Sequence, residues 1–447
     1  MLCHRLSSLD AVFGTRVVRS PALAHESALS ITYRQGITAV STLAIAHDFP
    51  HSAAHSGRFP AGRKAPMATD PKHAAPFEGR VSRRNFFGRC SAAAGYAVTG
   101  GVALAADQGL DRPVRIAVLG MGHRGTSLAE TLRKTPGTVL AGWFEPCEEA
   151  ARKALARFPA SADQPDPVVF ADEDEAIGST QVDAVIIAGP SDTHQGQILK
   201  AIETRKHILT EKPAGFGELA LNAVHKALTS DFDRVFAIAL ARKFHPQRAR
   251  LMGWLAEGHL GPMVDIRADW AQPLGAPRGR DDWMTDPART GDWVAEHGDH
   301  IWNMLAELRP GTEAPRVLHA TRISGPGGDS AWFKASLAWA DGVTADIRHS
   351  FLPGGQFASP GLSFFVQYRG GIVDLIQGRV NCERKLMPPE PFDKSVSEDA
   401  AMLRAFVGRI RGAGQTGDER RQANLEEIQR SKFVERLRHE IVTAFEA

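Results

Sequence analysis

A run of small and branched apolar residues ending on a glycine-rich turn constrains this chain more than any other feature. Arg115-Ile116-Ala117-Val118-Leu119 passes directly into Gly120-Met121-Gly122-His123-Arg124-Gly125. A run apolar from Ile116 to Leu119 suits a strand buried on both faces of a parallel sheet. Ser127–Lys134 follows with Leu128 and Leu132 at helical spacing, and Val139–Phe144 reads as the next strand. Strand, glycine turn, helix and strand make a βαβ unit. Gly120 permits the tight turn, Gly122 lets backbone approach a pyrophosphate, and Gly125 lets the helix pack on the strand. The helix N-terminus then offers free N–H groups and a positive dipole end to the phosphates. Glu145 follows the last glycine by about 20 residues, where an acid accepts from the ribose hydroxyls and repels a 2′-phosphate. The expected cofactor is therefore NAD rather than NADP. The bland alternative is a Gly-rich turn with a surface glutamate. Arg124 either assists phosphate binding or is simply solvated.

Further strand ends converge on the same side. Val182–Ala188 ends at Gly189-Pro190, ahead of Ser191-Asp192-Thr193-His194. Ser191 or Asp192 is expected to cap a helix over Gln195–Thr204. His207-Ile208-Leu209-Thr210 runs into Glu211-Lys212-Pro213. Ligands of open α/β sheets sit at the carboxyl ends of strands. Gly120, Glu145, Pro190 and Glu211 all fall at such ends. The expected cofactor contacts are Gly120, Met121, Gly122, His123, Arg124, Gly125, Glu145, Pro190, His194, Glu211 and Lys212. For His194 a capping or packing role is the competing reading.

The chain has 447 residues, enough for two domains, and 53 basic against 51 acidic residues give a formal charge of +2. That balance gives no case for a nucleic-acid partner. Cys3, Cys90, Cys147 and Cys382 form no close-spaced metal pattern, and no metal site is expected. Residues 1–66 are rich in Ala, Ser, His and Arg, and read as disordered or as a mis-assigned start. Ser82-Arg83-Arg84-Asn85-Phe86-Phe87, followed by the uncharged stretch Ala92–Ala106, resembles a twin-arginine export signal. Ala103-Leu104-Ala105 has the form of a cleavage site, and Met67 gives the leader an ordinary length. The alternative is a basic helix start followed by a flexible linker. The expected order is a leader over 67–105, a dinucleotide-binding domain over 106–234 and a second domain over 235–447. The expected location is the periplasm, or beyond the cytoplasm through the twin-arginine route. The stretch Ala92–Ala106 is too short to remain as a membrane span.

The run Asp183-Ala184-Val185-Ile186-Ile187-Ala188-Gly189-Pro190-Ser191-Asp192-Thr193-His194 and the run Lys206-His207-Ile208-Leu209-Thr210-Glu211-Lys212-Pro213 resemble the glucose–fructose oxidoreductase / inositol dehydrogenase family (Gfo/Idh/MocA). The resemblance implies an α/β protein. Its N-terminal Rossmann domain is followed by a C-terminal α+β domain on an open, mostly antiparallel sheet, which often serves as the face of a homodimer or homotetramer. Val235–Ala239 reads as a crossing strand, and Arg242-Lys243-Phe244-His245-Pro246 as the lead into the next helix. Val264–Ala268, Ala331–Trp339, Val343–Ser350, Leu362–Tyr368 and Ile372–Ile376 suggest strands, and Glu398–Ile410 and Asn424–Phe445 closing helices.

The resemblance also implies a catalytic set. In Gly291–Asn303, Glu296 takes the family's usual Asp position, Gly298 its glycine and His300 its catalytic histidine, while Asn303 replaces a usual Asp. Lys212 would orient and polarise a substrate hydroxyl and stabilise developing alkoxide. His300 would take the proton, and Glu296 would hold the imidazole or bind another sugar hydroxyl. His297 is the alternative base. Trp270, Trp283, Trp293 and Trp302 gather around the proposed cleft, where they stack on sugar rings or pack the core.

These readings point to an NAD-dependent oxidoreductase acting on a sugar, sugar derivative or polyol. Export would place it away from any nicotinamide pool, so the cofactor would be held tightly and restored within each cycle. A redox-assisted glycosidase or lyase, similar to the family's NAD-dependent α-N-acetylgalactosaminidases, satisfies the same requirement. A non-catalytic sugar-binding protein is the third reading.

Overall fold

The computed structural model describes residues 112–161, 164–274, 286–290, 294, 298–311, 313–324, 330–353, 361–383, 385–412 and 416–445. All lie in the unit Gly79–Ala447, and the unit Met1–Glu78 contains none of them. The arginine pair and its apolar tract, Glu296, His297, Trp283 and Trp293 lie outside the described residues.

The first sheet is six-stranded: β1 (Val114–Leu119), β2 (Thr138–Phe144), β3 (Val168–Val169), β4 (Ala184–Ile187), β5 (His207–Thr210) and β6 (Phe236–Ile238), in the order β3-β2-β1-β4-β5-β6. Every neighbouring pair is parallel. Side chains alternate across a strand, and here both faces are covered. Ile116, Val118, Ala184 and Ile186 enter one apolar cluster with Leu128 and Leu132 of α1 (His123–Arg133) and Phe406 of α9 (Glu398–Ile410). Ala117, Leu119, Val185 and Ile187 enter another, with Ile198 of α4 (His194–Glu203) and Val224 of α5 (Gly217–Thr229). The remaining helices of this region are α2 (Glu148–Arg157) and α3 (Glu173–Gly178). Chain order reverses between β1 and β4, where a ligand crevice opens in such sheets.

Three local expectations change. Helix α1 starts at His123, not Ser127, because the glycine turn winds into it: Gly122 is the N-cap, and Thr126 N donates to the Gly122 carbonyl at 3.0 Å. Polar residues before Leu128 hide that start. Residues 236–238 pair in parallel with β5 rather than crossing over, so the first sheet extends past residue 234. Neither Ser191 nor Asp192 caps α4. Ser191–Thr193 forms a 3₁₀ turn, Thr193 takes the cap position without a side-chain bond, and Asp192 pairs with Arg289.

After α6 (Pro246–Ala256), a seven-stranded sheet follows: β7 (Met263–Leu274), β8 (Arg316–Ser324), β9 (Ser330–Ala338), β10 (Thr344–Pro353), β11 (Gly361–Tyr368), β12 (Gly371–Asp374) and β13 (Arg379–Cys382). Its order is β13-β12-β11-β7-β10-β9-β8. Only β7 and β10 pair in parallel. The register sets Ile266 against Ala345 and Val366, and Ala268 against Ile347 and Phe364, so one face is largely apolar. Onto it pack Ile301, Trp302 and Leu305 of α8 (Asp299–Leu308) and Val434, Leu437 and Ile441 of α10 (Gly417–Ala444). The opposite face carries ion pairs: Arg267 with Asp265, Arg348 with Asp269, Lys334 with Asp346. A short helix α7 (Pro287–Thr290) precedes α8.

Helix α10 is stopped at its start by a capping box, Thr416 with Glu419. It reaches back further than the predicted Asn424, because the polar residues 417–423 carry no apolar stripe. Its Ile428 packs with the first sheet's cluster and its Val434 with the second's. Among the described residues no helix is long and apolar enough to cross a membrane.

Candidate cofactor and substrate cleft

A cleft of about 1480 Å³ runs from the carboxyl ends of the first sheet to the edge of the second. The glycine turn forms its floor. Gly120 has φ +90°, and a Cβ there would meet the Gly189 backbone at 2.6 Å. The ends of β1 and β4 thus touch at the switch point through two glycines. A Cβ on Gly125 would lie 1.9 Å from the Gly120 carbonyl oxygen, whereas one on Gly122 would meet nothing within 4 Å. Gly125 is required by packing. Gly122 faces open space in the cleft, as a residue approached by a pyrophosphate must. No side chain caps α1, so its first-turn N–H groups are left for a ligand. This cradle fits a dinucleotide.

Glu145 lines the cleft and braces the turn. Its Oε2 accepts from Met121 N at 2.7 Å and its Oε1 from Cys147 N at 3.0 Å. His123 is exposed at the cleft wall, and Met121 is buried beneath it. Pro190 also lines the wall. His194 is buried, with Nδ1 2.8 Å from the Pro213 carbonyl oxygen and Nε2 3.1 Å from that of Gly189. Its ring ties the ends of β4 and β5 together while one edge reaches the cleft. The ring therefore packs the strand ends and lines the cleft at once.

Arg124 is not simply solvated. It donates to Glu211 at 2.5 Å and, through both Nη atoms, to Asp399 at 2.6 and 2.7 Å. Its charge is balanced by two carboxylates. Glu211 also receives the Lys212 N–H at 3.3 Å. These contacts fix the segment that presents Lys212, which is buried and lines the cleft.

His300 reaches the same cleft from the first turn of α8. Neither ring nitrogen has a hydrogen-bond partner among the described residues. The ring stands edge-on to Trp270 at 5.2 Å, and Trp270 stacks on His349 at 4.9 Å. Burial first, and then the positive charges of Lys212, Arg242 and Arg124, hold the imidazole well below its ordinary pKa. The imidazole is thus held neutral in the same cleft as the buried Lys212. Gly298 is needed because Trp302 lies over it: a Cβ would meet the indole Nε1 at 2.6 Å. Trp302 is fully buried and donates to the Val294 carbonyl, so it belongs to the core and not to the cleft wall. Asn303 lines the cleft and donates to the carboxylate of buried Asp299 at 3.0 Å.

Several cleft residues escape sequence reasoning. Arg242 sits in a 3₁₀ turn (Ala241–Phe244) just after β6. Arg289 of α7 pairs with Asp192 at 2.8 Å, fastening the second region to the first at the cleft. Phe392 and Lys394 close the far side, where His245 stacks on Phe392 at 4.9 Å. Asp399 carried one signal, its place in the first turn of a helix capped by Ser397. Its partner, Arg124, is unreadable from sequence. Among the described residues no group of three or more His, Cys, Asp or Glu side chains could hold a metal ion.

Residues 114–230 match the family model described as "Oxidoreductase family, NAD-binding Rossmann fold". Over 154 residues the chain is 32% identical to the inositol 2-dehydrogenase of Mycolicibacterium smegmatis, covering 34% of this chain and 43% of that protein. Over 174 residues it is 27% identical to that of Rhodococcus erythropolis, covering 39% and 49%. The chain thus spans about half the length of the curated relatives it matches. In fold it is similar to a levoglucosan dehydrogenase in complex with NADH and levoglucosan, with TM-score 0.61, 16% identity and coverage of 75% and 98%. It is also similar to a scyllo-inositol dehydrogenase from Lactobacillus casei with bound NAD(H) and scyllo-inositol, with TM-score 0.58, 18% identity and coverage of 75% and 97%. Family model and cleft geometry agree on residues 114–230: this segment matches the NAD-binding Rossmann fold of the Gfo/Idh/MocA oxidoreductase family.

Proposed function

We propose that this protein oxidises a hydroxyl of a sugar, sugar derivative or polyol at Lys212 and His300. The observation that carries the reading is that these two side chains line one cleft with the glycine turn, His300 having no hydrogen-bond partner among the described residues. Bound NAD supplies the hydride acceptor. Lys212 donates a hydrogen bond to the substrate oxygen and stabilises the charge that develops there. His300 takes the hydroxyl proton as the carbon–hydrogen bond breaks and the carbonyl forms. Burial, and then the cations around it, keep His300 unprotonated beforehand. The Glu145 carboxylate at the ribose end favours NAD over NADP. Glu296, outside the described residues, is proposed to position the imidazole or a substrate hydroxyl.

We further propose that the leader carrying Arg83-Arg84 exports the protein with its cofactor in place. Two ion pairs support tight retention: Arg124 with Asp399, and Arg289 with Asp192. Both tie later parts of the chain to the dinucleotide-binding region. Self-association through the open face of the seven-stranded sheet completes the proposal, with light scattering of the purified protein as its check.

The deciding experiment incubates purified protein with sugars, polyols and aryl glycosides, with no cofactor added, and identifies the products. An oxidised sugar paired with a reduced one supports the reading. Cleavage of an aryl glycoside would replace it with redox-assisted elimination, and no product from any compound would leave a binding protein.

A further inference from the structure

Among the described residues four arginines line the cleft: Arg124, Arg242, Arg248 and Arg289. Three are matched to acids. Arg124 has Glu211 and Asp399, Arg248 has Glu307 at 2.5 Å, and Arg289 has Asp192. Nearby Lys243 is matched to Glu427 at 2.7 Å. Arg242 is the exception. Among the described residues its guanidinium makes no hydrogen bond and has no carboxylate within ion-pair distance. Glu398, at the start of α9, acts on it only through the longer-range field.

The surroundings make that arrangement costly. Arg242 is half-buried, and its neighbours Ala241 and Phe244 pack against the apolar cluster of the first sheet. A desolvated cation without a partner is unfavourable, and an anion that completes the pair recovers the loss. The guanidinium fork matches the paired oxygens of a carboxylate or phosphate. Its position is also informative. Arg242, Lys212 and Arg124 all impose positive charge on His300. Arg242 and His300 also line the same cleft, so a sugar held by the guanidinium at one end can present a hydroxyl to the proposed base at the other.

We infer that Arg242 binds an oxyanion carried by the substrate, a carboxylate or a phosphate, so that the cleft selects acidic sugars over neutral ones. The inference rests on the oxidation proposed above for where the reacting hydroxyl sits. The anion-binding claim itself depends only on Arg242 and the cleft. A seated oxyanion also offsets the cations around His300 and so favours proton transfer to it.

The test titrates the protein saturated with NADH, by calorimetry, with a hexuronate, a hexose 6-phosphate and the matching neutral hexose. At least one anionic ligand is expected to bind at least about tenfold more tightly than the hexose, with an affinity that falls as salt is added. The hexuronate and phosphate arms tell which oxyanion is meant. Arg242→Gln should abolish the preference while leaving NADH affinity intact, which also reports that the variant is folded. Arg242→Lys should retain part of it. Equal affinity for all three ligands, including no measurable binding of any, overturns the inference. So does an Arg242→Gln protein that keeps the preference. An acidic sugar bound through Arg242 but never oxidised would refute the dehydrogenase reading and leave this one standing. Oxidation of neutral sugars with no preference for acidic ones would do the reverse.

Discussion

Arg124 and Asp399 stand 275 residues apart in the chain, yet both guanidinium Nη atoms donate to the two oxygens of that carboxylate, at 2.6 and 2.7 Å. The residue just inside the glycine turn is thereby tied to the first turn of α9. Asp399→Asn keeps the shape and removes the charge. Arg124 then turns toward Glu211 alone and loses one of its two carboxylate partners. NADH affinity, followed by fluorescence titration, should weaken about tenfold, ~1.4 kcal/mol. An unchanged affinity would show that the pair braces the fold without serving the cofactor.

The glycines separate packing from ligand approach. Gly125→Ala forces a Cβ against the Gly120 carbonyl oxygen and should cost about 1–3 kcal/mol of stability, read as a lower denaturant midpoint. Gly122→Ala meets no atom within 4 Å at an ordinary φ of −66°. It should leave stability within about 0.5 kcal/mol while markedly weakening NADH binding. Loss of stability in both variants would assign both glycines to packing.

The pH dependence of turnover follows from the charges around His300. Burial and then Lys212, Arg242 and Arg124 hold its pKa well below the ordinary histidine value. The acid limb of kcat/KM, which reports the free enzyme's base, should therefore lie below about pH 6.5. Arg242→Gln removes one cation, makes the imidazolium less unfavourable and should move that limb to higher pH. A limb at an unshifted histidine value in both proteins would contradict His300 as the base.

Much of this was legible because it is local. β1, the glycine turn, β2 and the strand ends at Pro190 and Glu211 are written in contiguous apolar runs and punctuating glycines. The two-face burial of Ile116–Leu119 follows from a run without polar alternation. The inward stripe of β7 (Ile266 and Ala268) is a period-two pattern. Other features were not legible. β8 is largely exposed and lacks clean alternation, so no apolar period marks it. Trp302 appeared as an aromatic near a catalytic segment, but only the fold shows that Gly298 lets it sink into the core. The unmatched state of Arg242 is a property of everything around it, which no local motif encodes.

Two buried histidines should make stability fall with acid. Burial lowers His207, whose Nδ1 accepts from Val235 N, to about 3, and lowers His349 to about 3 as well. Below the unfolded value of about 6.5 the unfolded chain takes up protons that the folded chain refuses. Stability is then lost steadily from about pH 6.5 down to about 3, by up to about 1.4 kcal/mol per pH unit for each histidine. Denaturant midpoints across this range should show the slope. His207→Asn keeps an acceptor for Val235 N and should reduce it. A flat profile from pH 6.5 to 4 would contradict the burial of both rings.

The most direct test of the account mixes NAD-loaded protein with a panel of neutral sugars, acidic sugars and polyols and follows formation of reduced nicotinamide in a single turnover. The account predicts reduction by at least one compound. Lys212→Met and His300→Asn should each slow it by about 10²–10⁴-fold, His300→Asn with NAD affinity nearly unchanged. Reduction at the wild-type rate in both variants, or no reduction by any compound, would contradict catalysis at Lys212 and His300.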